Sequence, residues 1–141
     1  MQRFLRFHWR MIAAGSFALF VVAFVAICLV IGVGVRGAVA DARSRHPGDP
    51  LSALLAVASD EDLAPAERNR AIWALGQLGR REALPALQAL AAPGPCDHAN
   101  YLCQYEIEKA IAACSGRRNI GAVIWRHGDL AGAREDLGSS L

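Results

Sequence analysis

The hydrophobic positions of this chain fall into two regimes. From Met11 to Val35 there is no charged residue. Beyond Asp49 the apolar residues recur every three or four positions in short segments separated by glycine, proline and charge. Leu51, Leu54, Leu55 and Ala58 form the first such set, Ala71, Leu75 and Leu78 the second, and Ala83, Leu84, Leu87 and Leu90 the third. Tyr101, Ile107, Ala110, Ile111 and Cys114 form the fourth, and Ile120 to Trp125 is a last apolar run. That period belongs to helices with one buried face. The pattern predicts an all-α protein, with one long apolar helix followed by a stack of short amphipathic ones.

The uncharged run is ~37 Å long as a helix, enough to cross a hydrocarbon core of about 30 Å with some tilt. Phe4, Phe7 and Trp9 precede it among Arg3, Arg6 and Arg10, as an interfacial aromatic belt would. Ala38-Val39-Ala40 satisfies the small-x-small rule for signal cleavage, but a secretory apolar region is about 7–15 residues and this one is longer. The expectation is an uncleaved anchor: a basic and aromatic flank over 1–10, a transmembrane helix over 11–35 and a polar linker over 36–48. Gly37, Ser44, Pro47 and Gly48 are expected to interrupt the helix in that linker. Ala14, Gly15 and Ala18 offer a close-packing face, and Cys28 reads as a small apolar filler. Lys and Arg flank both ends of the span, with a slight excess at the start. The expected topology is therefore a cytoplasmic N-terminus and a periplasmic folded domain.

After the linker, Asp49 and Pro50 stand where an N-cap and a first helical residue belong. Ser59-Asp60-Glu61-Asp62 reads as a solvated acidic turn, since it lacks the alternating ligands, central glycine and distal glutamate of a calcium loop. Arg68 to Leu90 reads as two helices folded back at Gly79, a residue that tolerates positive φ. Pro85 falls in the first turn of the second helix. Ala71, Ala74 and Gly76 leave room for close approach. The residues Arg68, Ala71, Ala74, Leu75, Gly76, Leu78 and Gly79, followed by Ala83, Leu84, Pro85 and Leu87, resemble the HEAT-like repeats named after phycobilisome lyases. That resemblance implies a helical binding module and carries no lyase activity with it.

A second copy follows. A shift of 36 residues puts Ala71 on Ile107, Ala74 on Ala110, Leu75 on Ile111 and Leu78 on Cys114; a shift of 37 puts Gly79-Arg80-Arg81 on Gly116-Arg117-Arg118. Such a period marks a helical solenoid. The second copy lacks the Ala-Leu-Gly triplet and the proline. The expected fold is a short α-α solenoid of about two and a half HEAT-like repeats over 49–127, with a flexible tail over 128–141. So few repeats are marginal alone, so the membrane span, a partner or a crosslink is needed to close the ends.

Charge narrows the function. All thirteen acidic residues lie from Asp41 onward, where they face eleven of the fifteen basic ones. The folded part lacks the basic surplus that phosphate neutralisation requires, which argues against nucleic acid. Outside the span the thiols are Cys96, Cys103 and Cys114. Cys103 and Cys114 are about 16 Å apart along one helix, too far for a disulfide. Cys96 and Cys103 can meet, and in an oxidising compartment a bond between them would staple the loop to the helix. The competing readings are free buried thiols, or a metal held by Cys96, His98 and Cys103 with His127 or Cys114. The spacing lacks a Cys-x-x-Cys knuckle. No nucleophile elbow, P-loop or dinucleotide turn is present, and His98 with Cys103 lacks an orienting third group. No catalytic residue, cofactor or metal site is expected.

Binding is assigned instead to the groove lined by the second helix of each hairpin, where Arg81, Gln88, Arg118 and Trp125 fall at corresponding places. Trp and Arg are frequent interface anchors, and Trp125 is expected to lie where no further repeat covers it. Trp73 reads as a core or groove wall. The expected function is a membrane-anchored interaction or scaffold module, an accessory subunit of a membrane complex. Its partners would be membrane proteins, and its N-terminal helix would contact lipid. A lyase-like accessory that handles a prosthetic group and a cytoplasmic-facing regulator are the alternatives.

Overall fold

The computed structural model describes residues 2–92, 101–116, 122 and 125. Among them the chain is all-helical: α1 Gln2–Arg45, α2 Pro50–Ser59, α3 Pro65–Leu78, a 3-10 turn Arg81–Ala83, α4 Leu84–Leu90 and α5 Gln104–Cys114. The expected caps are in place. Asp49 accepts from the Ser52 N–H at 3.1 Å, Pro50 opens α2, and Gly79 ends α3 at φ 61° while its N–H donates to the Leu75 carbonyl. Pro85 lies in the first turn of α4, and Gly116 follows α5 at φ 103°.

α3 is the centre of the fold. It packs against α1 and α2 on one side and α5 on the other, so its buried residues, Ala71, Ile72, Ala74, Leu75 and Gly76, wrap around the helix rather than forming one stripe. α3 and α5 meet at an offset of 34 residues, slightly less than the sequence shift of 36. Asn69, near the start of α3, meets Cys103 at the cap of α5, and Gly76 meets Ala110 one helix over. The two helices therefore run side by side in the same direction. A Cβ built on Gly76 would stand 2.9 Å from Ala110 Cα. The small-residue face of α3 thus serves contact with the next repeat, not the hairpin partner α4.

The expected linker over 36–48 is not a linker. α1 continues unbroken to Arg45. Gly37 is tolerated because Arg70 lies over it, with Nη2 3.1 Å from where a Cβ would be. Ser44 stays within the helix and returns its hydroxyl to the Asp41 carbonyl at 2.7 Å. The break comes only at Pro47 and Gly48, after the His46 N–H has closed a last turn on Ala42. Tertiary packing outweighs the local breakers here. Val35, Ala38 and Ala42 belong to the same buried core as Leu54, Leu75 and Ile107. The last third of α1 is thus the first helix of the repeat domain.

Candidate interaction surface and its anchor

α1 changes character along its length. From Met11 to Ile27 its large apolar residues are exposed all round. From Cys28 onward one stripe is buried: Cys28, Gly32, Val35, Ala38 and Ala42, spaced four, three, three and four residues apart as one helix face. Two tryptophans close onto this stripe. A Cβ on Gly32 would lie 2.8 Å from Trp125 Cβ, and one on Gly34 would lie 3.1 Å from Trp73 Cη2. Farther along, Arg70 pairs with Asp41 at 3.0 Å and Arg45 pairs with Glu67 through both guanidinium nitrogens, at 2.6 and 3.2 Å. These ion pairs are half-exposed and each is worth about 1 kcal/mol or less, so they set register while apolar burial supplies the strength.

Trp125 corrects an expectation. It is only 5% exposed, and among the described residues Gly32 of α1 lies against it. Its ring fills the space left by Gly32 and presents no open anchor. Arg81 and Gln88 are exposed, on the 3-10 turn and on α4. Arg118 lies outside the described residues. The exposed large apolar side chains of the described repeat domain are Tyr101 and Tyr105, at the entrance to α5; Lys109 Nζ stands 5.0 Å from the Tyr105 ring centre.

Asn69 is the buried polar residue of the core and was not singled out by sequence reasoning. Its Nδ2 donates to the Tyr101 carbonyl at 2.9 Å, and its Oδ1 accepts from the Cys103 N–H at 2.8 Å. One amide thereby caps α5 in place of a side chain of α5's own, and it fixes Cys103, which is fully buried. Cys28 is a buried thiol, and Cys114, buried as well, donates its S–H to the Leu75 carbonyl at 3.6 Å. Cys96, His98 and His127 lie outside the described residues. Among the described residues no three His, Cys, Asp or Glu side chains converge as a metal site.

The pieces define a class: an all-helical unit, among the described residues, built onto a helix that is long and apolar enough to cross a membrane. Within it, residues 67–92 match the family model of the PBS lyase HEAT-like repeat, a span that begins in α3 and ends just beyond α4. No curated protein and no solved structure is detectably similar to the chain.

Proposed function

We propose that the protein is a single-pass membrane scaffold. Its apolar helix crosses the bilayer, and its repeat unit presents a protein-binding face at a fixed height and angle above the membrane surface. The observation that carries this reading is the continuity of α1. One helix is lipid-like on every side from Met11 to Ile27 and core-like on one side from Cys28 to Ala42, so the interaction module is welded to the anchor. A flexible tether would suit capture of a distant partner; a rigid one suits a subunit that must hold another membrane protein in register. The binding face is assigned to α4, where Gln88 is exposed.

The reading includes a cytoplasmic N-terminus, a periplasmic repeat unit and a Cys96–Cys103 disulfide across the entrance to α5. The full burial of Cys103 at the start of α5 supports that pairing. A photoreactive side chain at Gln88 tests the binding face in cells: a discrete adduct of one mass is expected, and none from the same probe at Asp62 in the acidic turn. Equal labelling from both positions would sink the assignment. Thiol alkylation of the intact chain with and without reductant tests the compartment. Cys96 and Cys103 should react only after reduction; free reaction beforehand would place the repeat unit on the cytoplasmic side.

A further inference from the structure

The polarity of the repeat unit relative to α1 assigns its two ends. Moving back along α1 from Arg45 to Asp41 to Gly34, the partners on α3 are Glu67, Arg70 and Trp73. α3 therefore advances toward the apolar half of α1. It continues six residues past Trp73 to Gly79, or ~9 Å of helix. Trp73 itself already stands against Gly34, inside the uncharged run that ends at Val35. The turn after α3 thus lies level with about Cys28, where the stretch of α1 exposed all round, Met11 to Ile27, gives way to the buried stripe. That turn is Gly79-Arg80-Arg81-Glu82, and both arginines are exposed. α5 runs parallel to α3 and ends at the same place: a Cβ on Gly116 would lie 3.6 Å from Arg81 Nη2. The acidic turn Asp60-Glu61-Asp62 lies at the other end. Its neighbour Val57 lines one pocket with Arg45 and Glu67, and the Ala58 carbonyl accepts from Arg68.

We infer that Arg80 and Arg81 form a contact site for anionic lipid headgroups, holding the repeat unit against the membrane surface while its acidic turn points away. The inference rests on α1 spanning the bilayer. Guanidinium groups bind phosphate oxygens through paired N–H donors, and a cation beside an anionic membrane surface gains about 1 kcal/mol. The two arginines therefore correspond to about a thirtyfold preference for an anionic over a zwitterionic lipid.

Native mass spectrometry of the full chain in non-ionic detergent, titrated with phosphatidylglycerol or phosphatidylcholine, measures that preference. The wild type should favour phosphatidylglycerol, less so as salt is raised. R80Q/R81Q should lose the preference about thirtyfold, while R80K/R81K should keep most of it and E61Q/D62N all of it. Retention by R80Q/R81Q overturns the inference, and so does equal loss in the lysine variant, which would mark damage to the turn instead of lost charge. Displacement of the lipid by inorganic phosphate at matched concentration would assign the site to free phosphate and overturn it too. Carbonate extraction separates this from the spanning reading. A chain that stays in the membrane but shows no lipid preference loses the headgroup site alone, whereas a chain stripped from the membrane loses both.

Discussion

Asn69 and Gly32 show how much single residues carry here. Asn69 sits between α3 and the start of α5, donating to the Tyr101 carbonyl and accepting from the Cys103 N–H. Replacing it by Ala leaves the Cys103 N–H and the Tyr101 carbonyl short of a partner, at a cost of about 1–3 kcal/mol for each group that water cannot reach. N69A should lower the midpoint of chemical denaturation and raise hydrogen exchange at the Cys103 amide first. N69D keeps the acceptor for Cys103 and should leave that amide protected. Gly32 is a different case. Its side chain is absent because Trp125 occupies the space, so Gly32→Leu must displace the ring. The expected loss is about 1–3 kcal/mol, with a red shift of Trp125 emission as it meets solvent. An unchanged spectrum would mean that the ring does not rest on α1. In the sequence both residues were silent. Asn69 follows Arg68 at a position the family pattern leaves open, and Gly32 is ordinary composition for an apolar span.

Elements were more legible than their partners. The caps, the Gly79 stop and the helical periods read directly from the chain because they depend on residues within one turn of each other. Which face meets which neighbour did not. Ala71, Ala74 and Gly76 were rightly read as a close-contact face but assigned to the wrong helix, since sequence proximity favours α4 while the solenoid places α5 there. Gly76→Ala tests this. Its new methyl would stand 2.9 Å from Ala110 Cα, so α3 and α5 must separate, at about 1–3 kcal/mol. Loss of exchange protection is expected along α5 and not along α4. The misread linker has the same origin. Gly37 and Ser44 are weak breakers, and the signal against them was the stripe Cys28, Gly32, Val35, Ala38, Ala42. It keeps helical spacing straight across the end of the uncharged run. A stripe that ignores the boundary of a membrane span indicates one helix serving two environments.

At the scale of the whole molecule, the marginal repeat count is resolved by the anchor. The repeat unit buries Trp73 partly and Trp125 almost wholly with the help of α1. Removing the support beneath a core tryptophan approaches the cost of deleting it, about 3–5 kcal/mol, which is comparable to the whole stability of a domain of this size. The repeat unit should therefore not fold as an independent domain once α1 is removed. A chain begun at residue 46, which retains α2 onward, should show little cooperative unfolding by circular dichroism and should bind hydrophobic dye. A chain begun at residue 28, which adds only the last two fifths of α1, should unfold cooperatively and bind far less. The two differ by a single helical segment that contains no family signature. If the shorter chain proved equally cooperative, the repeat unit would be self-sufficient and α1 a mere tether, and the rigid presentation on which the scaffold reading depends would have no basis.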